Sequence, residues 1–221
     1  MIPAEVIHRI FRVKFGPSDA TAFTIEVDGR EYLVSAKHVL AGLKSGDKIE
    51  IFSNGKWVQF EANLVGHAAG DLDVSVLALP TSLTPPNLPL VATSDGIVYG
   101  QEAFFLGFPY GFMGTYSFGP MGFPLPFVKS ATVSMFDPTL VYLDGHNNPG
   151  FSGGPVVFRD MKTTKFKVAA LISGYRAMNE PIFYGGAATQ LNFRYNTGIV
   201  VSYRVEIAVN LARANPIGAK I

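Results

Sequence analysis

With 221 residues, of which 48% are hydrophobic and only 16% charged, the chain can fold as one large domain or two small ones, which excludes disorder as its main state. Its formal net charge of +1 gives no electrostatic basis for binding nucleic acid or an anionic membrane surface, so neither is expected as a partner. The absence of cysteine excludes disulfides, a thiolate nucleophile and a cysteine-based zinc site, and neither a metal nor a cofactor is expected.

The N-terminal segment MIPAEVIHRIFRVKF has charged side chains scattered along it, so it lacks the uninterrupted apolar core of a signal peptide. A small secreted protein would also often carry disulfides. Together the two observations predict a cytoplasmic protein. The part VIHRIFRVKF predicts the first strand.

Two hairpins and a further strand are predicted next. In TAFTIEVDGREYLVSA, Asp28 and Gly29 supply a two-residue turn of the kind that needs positive φ. KIEIFSNGKWVQFEANLVGH has the same pattern around Asn54 and Gly55, and LDVSVLAL is a strand that ends at Pro80. The proline-rich segment TSLTPPNLPL then predicts a connection between two halves of the fold.

The second half continues the pattern of short apolar runs. Strands are predicted near EAFFLGF, KSATVSMF, TLVYLD, PVVF, FKVAALISGY and NTGIVVSY. The tail SYRVEIAVNLARAN has apolar residues at helical spacing, which predicts one amphipathic helix with Ser202 as its N-cap. The chain is therefore predicted to be all-β, with about six strands in each half and one terminal helix.

One stretch requires a membrane check, because no residue between Ala103 and Val128 is charged and the stretch is long enough to span a bilayer. It contains five glycines and four prolines, which a lipid-exposed helix tolerates badly. We therefore expect a loop packed on the domain, or a site for an apolar partner, rather than a membrane helix.

The segment NNPGFSGGPVVF, from Asn147 to Phe158, places the hydroxyl of Ser152 among glycines and prolines. Glycine lets the backbone bend so that amide N–H groups point at one position, as the stabilisation of an oxyanion requires. Such a serine is a candidate nucleophile if a base takes its proton. A glycine-rich surface turn is the alternative.

A base and an acid for this serine occur upstream. His38 ends the predicted strand EYLVSAKHVL and would be held rigidly there, with a purely structural histidine as the alternative. GDLDVSVLAL supplies Asp71 and Asp73, one of which would orient the histidine in the chain order His, Asp, Ser. Of the remaining histidines, His8 lies in a predicted strand, His67 lies in a loop, and His146 lies upstream of Ser152.

Together these stretches resemble the chymotrypsin-fold serine peptidases, and especially the bacterial trypsin-like branch that includes the HtrA/Deg proteases. VSAKHV resembles the histidine motif of the family, and GFSGGPV resembles its nucleophile motif. DVSVLAL resembles the stretch in which the catalytic aspartate begins an apolar strand, which selects Asp73 over Asp71. FFLGFPYG, LDGHNNPGFSGGPVV and NTGIVVSYRVEIAVNL extend the likeness over most of the chain.

The resemblance implies a single trypsin-like protease domain with its active site between two six-stranded antiparallel β-barrels. Ser152 would attack the substrate, His38 would act as base and then as acid, and Asp73 would fix the tautomer of His38. The amides of Gly150 and Ser152 would form the oxyanion hole. Ser173 aligns with a serine that supports the aspartate in many relatives. The expected division is an N-terminal barrel, a C-terminal barrel and a helix over residues 1–84, 85–203 and 204–215.

The sequence departs from the family pattern at two positions near the nucleophile. Phe151 replaces an aspartate that pairs with a newly cut N terminus in digestive relatives, so activation by such a cleavage is not expected. His146 aligns with the base of the specificity pocket, to which Ser173 is also assigned, and it has no fixed negative charge. Cleavage after Lys or Arg is therefore disfavoured, and a small or apolar residue is favoured. An acidic residue before the cleaved bond, or a histidine that only stabilises a turn, are the alternatives.

We expect a serine endopeptidase that acts on protein or peptide substrates. A catalytically silent binding module on the same fold is the main alternative. A latent protease, whose loops an activating partner or ligand orders, is compatible with the first interpretation. No PDZ domain follows the predicted helix, and the sequence does not predict an oligomeric state. The aromatic loop over residues 113–127 is hypothesised to shape an apolar substrate site or to pack against a partner.

Overall fold

The computed structural model describes residues 1–118 and 121–221. A short helix, α1 (Ala4–Ile7), precedes the first strand, with Val6 buried and Glu5 in its first turn, where a negative charge is favourable. The prediction of a strand throughout VIHRIFRVKF was therefore wrong for its first residues. The first sheet consists of β1 (Ile10–Phe15), β2 (Ser18–Val27), β3 (Arg30–Ser35), β4 (Asp47–Ser53), β5 (Lys56–His67) and β6 (Ser75–Ala78).

The first sheet closes on itself. Its strands pair antiparallel in the order β3-β2-β1-β4-β5-β6, and β6 pairs back to β3. Successive side chains of a strand point to opposite faces, so one set fills the barrel with apolar residues such as Val13, Ile25 and Ile49. The turns Asp28–Gly29 and Asn54–Gly55 have positive φ at both residues, which confirms the two predicted hairpins.

In its described residues, the second half contains nine strands. These are β7 (Val91–Ala92), β8 (Glu102–Gly107), β9 (Gly114–Phe118), β10 (Met121–Leu125), β11 (Phe127–Phe136), β12 (Leu140–Asp144), β13 (Pro155–Arg159), β14 (Phe166–Tyr184) and β15 (Ala187–Arg204). Six of them pair in the order β13-β8-β11-β12-β15-β14, and β13 pairs with β14 to close the ring. The predicted all-β fold with two barrels and a helix near the C terminus is confirmed.

The C-terminal segment differs in detail from the prediction. The helix α2 (Glu206–Ala214) begins after Val205, and Ser202 lies in β15 with its hydroxyl donating to the Val141 carbonyl. The prediction that Ser202 caps the helix was wrong, because its side chain is buried inside the second barrel. A last strand, β16 (Ala219–Lys220), returns to the first sheet and pairs with β3.

The uncharged stretch from Ala103 to Val128 forms strands and turns rather than a helix. It contains most of β8, a 3₁₀ turn over Pro109–Gly111, the hairpin of β9 and β10, and the start of β11. In the described part of the chain, no helix has both the length and the apolar character needed to cross a bilayer. The aromatic loop predicted at residues 113–127 is largely this hairpin, whose residues 119–120 lie outside the described part.

The strands β14 and β15 continue well beyond the second barrel. β13 pairs with β14 only as far as Leu171, and β12 pairs with β15 only from Ile199 onward. Beyond the parts that pair with β13 and β12, β14 and β15 continue to pair with each other as far as Tyr184 and Ala187. We call this two-stranded extension, residues 175–184 and 187–197, the arm.

Candidate active site

His38 lies in a turn that directly follows β3. The turn is fixed by backbone hydrogen bonds from Val39 to Ala36 and from Leu40 to Lys37, and the Val39 and Leu40 side chains are buried. The apolar residues anchor the turn in the first barrel while the imidazole, 52% exposed, faces outward. The strand end thus presents the histidine to the cleft in a fixed position.

Asp73 lies between β5 and β6, beside His38. Its Oδ2 is 2.7 Å from His38 Nδ1, and its Oδ1 accepts the His38 backbone N–H at 2.8 Å. The Ser173 hydroxyl from β14 donates to the same Oδ2 at 2.6 Å. With Nδ1–H donating to the carboxylate, His38 Nε2 is left unprotonated and can accept a proton.

These contacts also set the charge of Asp73. Burial raises its pKa, but the hydrogen bonds from the His38 side chain, the Ser173 hydroxyl and the His38 amide outweigh burial and hold the pKa below the usual value for aspartate. The carboxylate is therefore ionised at neutral pH and can stabilise a positive charge on the histidine.

Asp71, the other candidate acid, is exposed and contributes its backbone rather than its carboxylate to this region. Its carbonyl accepts the Tyr203 hydroxyl at 3.0 Å. Lys37 holds the same loop from the other side, because its Nζ donates to the carbonyls of Ala68 and Gly70 at 3.1 and 2.9 Å. The loop that leads into Asp73 is thus fixed by two residues that the sequence did not indicate.

Ser152 lies in the turn between β12 and β13, and backbone pairing with β14 holds this turn. The Gly153 amide donates to the Ile172 carbonyl at 2.7 Å, and the Ile172 amide donates to Gly154 at 2.8 Å. The Phe151 ring is fully buried and packs edge-on against Phe105, with ring centroids 4.9 Å apart. A buried aromatic ring therefore stands where digestive relatives are expected to have an acid.

The first barrel approaches the turn of Ser152 so closely that it leaves no space for a side chain at Gly153. A Cβ there would overlap Ser35 Oγ and the Thr21 carbonyl, and the φ of +81° is one that L-residues rarely adopt. Thr21 donates its N–H to the Ser152 carbonyl at 3.1 Å and its hydroxyl to the Gly150 carbonyl at 2.7 Å. Thr21, a buried residue of β2 with no sequence motif around it, thus joins the two barrels at the site.

The Ser152 hydroxyl is linked to His38 through Ser173. It donates to the Ser173 carbonyl at 3.2 Å, while the Ser173 hydroxyl donates to Asp73. Within the described residues, Ser152 Oγ makes no direct hydrogen bond with His38. The structure therefore brings His38, Asp73, Ser173 and Ser152 together, with the serine hydroxyl directed at a backbone carbonyl.

The amides of Gly150 and Ser152 are available to a ligand. Neither donates to an acceptor in the described part of the chain, whereas Phe151 between them donates to the Asn148 carbonyl at 3.3 Å. Gly150 has φ +102°, a conformation suited to glycine. The carbonyl of Pro149 accepts the Tyr110 amide at 2.9 Å, which fixes the preceding peptide.

His146 is exposed and is not bonded to the other candidate site residues. Its carbonyl accepts Lys129 Nζ at 2.6 Å, and the same ammonium donates to Asn148 Oδ1 at 2.6 Å. Burial lowers the pKa of Lys129. On the other side of this loop, Asn196 Nδ2 donates to the Asn147 carbonyl at 2.8 Å. Lys129 and Asn196 thus brace the segment before Ser152, and neither carried a sequence signal.

A cavity of about 520 Å³ opens beside the histidine and the aspartate. Its lining includes His38, Asp73, Ser173 and His67. Burial, and then the charge of Lys37, lower the pKa of His67, and its Nδ1 is 2.6 Å from Ser75 Oγ. His67 is therefore neutral at pH 7. Across residues 1–118 and 121–221, no cluster of three histidine or acidic side chains offers a metal site.

A sequence model for the family described as trypsin-like peptidase domain matches residues 20–163. Among solved structures, the Rv3671c protease of M. tuberculosis in its active form matches with a TM-score of 0.63 and 17% identity, over 99% of this chain and 85% of that one. The inactive form of its serine-to-alanine mutant matches with a TM-score of 0.60 and 17% identity, over 99% and 91%.

Two other proteases show the same fold. The HtrA-type protease AlgW with a tripeptide has a TM-score of 0.55 and 22% identity, over 96% of this chain and 60% of that one. The serine endoprotease from Yersinia pestis has a TM-score of 0.61 and 16% identity, over 97% and 67%. No curated protein sequence matches the chain significantly.

Proposed function

The chain belongs to the trypsin-like peptidase family and is a serine endopeptidase, and from this premise we propose that it hydrolyses peptide bonds with Ser152 as nucleophile, His38 as base and Asp73 as orienting acid. The observation that carries the assignment is the 2.7 Å contact between His38 Nδ1 and Asp73 Oδ2. It leaves Nε2 of the histidine as the proton acceptor. The cavity beside this pair is lined by His38, Asp73 and Ser173.

The proposed reaction has two halves. Ser152 Oγ bonds to the substrate carbonyl carbon while its proton passes to His38 Nε2, and the carbonyl oxygen becomes an oxyanion. The Gly150 and Ser152 amides donate to this oxyanion. When the tetrahedral intermediate collapses, the C–N bond breaks and His38 gives its proton to the leaving amine. Water then attacks the acyl-enzyme, again with His38 as base, and releases the acid product and Ser152.

Attack requires one local rearrangement. The Ser152 hydroxyl donates to the Ser173 carbonyl, so it must turn away from that acceptor and donate to His38 before it can react. This arrangement supports the proposal that the protease is latent until a substrate, partner or ligand changes the position of the hydroxyl. A latent protease of this kind differs from a silent binding module, because no condition would activate Ser152 in such a module.

We further propose that cleavage does not favour Lys or Arg before the scissile bond. The exposed His146 supplies no fixed negative charge, and the nearby partly buried cation of Lys129 would repel a basic side chain. A small or apolar residue fits this environment better. Cleavage-site profiling with a peptide library tests this directly, and enrichment of Lys or Arg would contradict it.

Labelling with a fluorophosphonate probe tests the assignment of the nucleophile. The wild type is expected to form one covalent adduct, mapped to Ser152 by mass spectrometry, while Ser152→Ala forms none. A variant at another serine near the site, Ser130→Ala, is the matched control and should label normally. If the wild type is never labelled, with or without added peptide, the silent module is the better interpretation.

A further inference from the structure

The arm is a two-stranded ribbon that extends into solvent. Every residue from 178 to 188 is exposed. An isolated two-stranded hairpin is at best marginally stable in water. Large apolar side chains on such a ribbon therefore indicate a surface that binds another molecule.

The side chains of the arm are sorted by face. Residues directly opposite each other in an antiparallel pair project to the same side. Met178 pairs with Tyr195, and Glu180 pairs with Phe193. The Phe193 and Tyr195 rings are stacked with centroids 6.1 Å apart, and the Tyr195 hydroxyl donates to Glu180 at 2.8 Å. Met178 and Phe193 are 55% and 60% exposed, so this face is largely apolar and uncovered.

The opposite face of the arm is mixed. Its pairs include Asn179 with Arg194 and Pro181 with Asn192, and the 65% exposed ring of Phe183 follows Pro181 on the same face. The polar pair of Asn179 and Arg194 serves as the polar-face control for substitutions on the face of Met178 and Phe193.

The free edge of the arm begins at the nucleophile. On the side of β14 away from β15, Leu171 pairs with β13, and Ile172 exchanges hydrogen bonds with Gly153 and Gly154. The next residue, Ser173, accepts the Ser152 hydroxyl. Beyond it the nucleophile turn leaves β14, so within the described residues this edge is unpaired from Gly174 to the tip of the arm.

We propose that the arm is a docking platform for a long, extended and apolar segment of the polypeptide substrate, well beyond the residues that flank the scissile bond. The proposal rests on the proposed peptidase function. It follows from continuity, because one strand edge leads from Ser152 to the apolar face of the arm. A substrate strand that adds to this edge acquires main-chain hydrogen bonds from β14 and side-chain contacts from Met178 and its neighbours.

We propose that this strand adds antiparallel to β14, as the strands of the barrel ring do. Neighbouring strands of the second barrel ring are antiparallel, and β14 runs from the nucleophile toward the arm tip. An antiparallel substrate therefore runs from the tip toward Ser152, which places the part N-terminal to the scissile bond on the arm. At about 3.3 Å per residue, strands of equal length pair residue for residue, so the arm has room for roughly ten substrate residues.

The test measures peptide binding without catalysis. The probe is a fluorescein-labelled peptide with four residues before an Ala–Ser bond, extended N-terminally by eight alternating Val and Thr residues. Binding is followed by anisotropy in a Ser152→Ala background, in which the peptide stays intact. We compare this background with a derivative carrying Met178→Ser and Phe193→Ser, and with a control carrying Asn179→Ser and Arg194→Ser. Circular dichroism melting verifies that each variant folds.

The apolar-face derivative should bind the long peptide at least about tenfold more weakly, because it loses Met178 next to the added strand and the Phe193 ring on the same face behind it. The polar-face control should change Kd less than about twofold, and a peptide without the extension should be insensitive to both pairs of substitutions. Absent binding of the long peptide to the Ser152→Ala protein, or equal binding by both derivatives, overturns the proposal. So does sedimentation showing that the apolar face is instead covered by a second copy of the chain.

Failure of this inference is distinguishable from failure of the proposed function. Fluorophosphonate labelling of wild-type Ser152 reports on the nucleophile regardless of the arm. If wild-type Ser152 is labelled but peptide binding does not depend on the arm, the protein is a peptidase without this platform. Arm-dependent binding with no labelling of the wild type, even when the peptide is present, supports the platform and contradicts the peptidase assignment.

Discussion

His38 and Asp73, on the first barrel, are held by hydrogen bonds of their side chains, whereas Ser152, on the second, is held by the backbone around it. The Asp73 carboxylate accepts three hydrogen bonds, two of them from side chains. The turn of Ser152 is instead fixed by backbone pairing of Gly153 and by the buried ring of Phe151.

This difference determines how each half can be disrupted. The half of the site that contains His38 and Asp73 depends on particular polar atoms, so removing one of these atoms should impair catalysis with little effect on folding. The half that contains Ser152 depends on close backbone packing, so adding one atom there should impair both catalysis and folding. Four substitutions test this contrast.

The largest effect is expected from Asp73→Asn. With the amide oxygen on the His38 backbone N–H, the amide nitrogen faces Nδ1 and donates to it, so the histidine loses the tautomer that the reaction needs, and kcat should fall by about 10⁴. Steady-state hydrolysis of a fluorogenic peptide measures the loss, with the melting temperature as a check on folding. A fall of less than about tenfold would contradict the role of Asp73. Asp71→Asn, whose carboxylate lies outside the network, is the matched control.

Gly153→Ala should disrupt the other half. The added Cβ overlaps Ser35 Oγ and the Thr21 carbonyl, so the barrels must move apart, and the free energy of unfolding should fall by about 2–4 kcal/mol together with the activity. Gly46→Ala is the control, because Gly46 has a similar φ of +91° but nothing within 4 Å of a Cβ. It should lose only the conformational cost of about 1–2 kcal/mol. Chemical denaturation compares the two, and equal losses would contradict the packing argument.

Ser173→Ala removes one donor to Asp73, and kcat should fall about 10- to 100-fold, as expected for one hydrogen bond to a charged group. The hydroxyl is deleted while the Ser173 carbonyl, which accepts Ser152, is retained. Ser173→Thr keeps a hydroxyl and should recover part of the activity. Peptide hydrolysis measures both variants, and an unchanged kcat in the alanine variant would exclude Ser173 from positioning Asp73.

The same substitution should change the acid stability of the protein. The pKa of Asp73 is lower in the folded than in the unfolded chain, so its stabilisation is present above the unfolded value and is lost as pH falls through the folded value. Without Ser173 the folded pKa rises toward the unfolded value, so less stability is lost on acidification and the loss is complete at a higher pH. Unfolding midpoints in urea between pH 7 and pH 3 report this. Parallel curves for the variant and the wild type would contradict the coupling.

The smallest effect is expected from Lys129→Met. The methionine keeps the apolar stem but loses both donors to the segment before Ser152, so kcat/KM should fall by about 3- to 10-fold, consistent with one or two ordinary hydrogen bonds. Lys56→Met, at an exposed hairpin position, is the control and should be neutral. If both variants behave alike in peptide hydrolysis, Lys129 does not position the loop.

Local sequence patterns predicted the features that depend on local structure. Asp28–Gly29 and Asn54–Gly55 predicted hairpins because positive φ is confined to a few residue types, and the structure has both. The motifs around His38, Asp73 and Ser152 named the candidate site through their resemblance to those of the family, and that resemblance selected Asp73 over Asp71. The N-cap at Ser202 was wrong because burial in the barrel outweighed a local preference.

Features that depend on long-range packing were missed. Thr21 bonds to Gly150 across 129 positions in the sequence, and nothing around it indicates this contact. Lys129 and Tyr203 act through backbone carbonyls, which leave no pattern in the chain. The arm did carry a signal, since Gly185–Gly186 has positive φ at both residues and joins two strands. Pro181 and the polar residues around it concealed the two strands.

The most direct test of the central claim is the rate at which Ser152 reacts with a fluorophosphonate, measured against pH in the wild type and in His38→Ala. If a neutral histidine removes the serine proton, the wild-type rate rises with pH between about 5 and 8, where histidines ordinarily lose their proton. The His38→Ala rate should be lower by at least about 10³, with no such rise. Equal rates, or a wild-type rate independent of pH in this range, would contradict the assignment of His38 as the base.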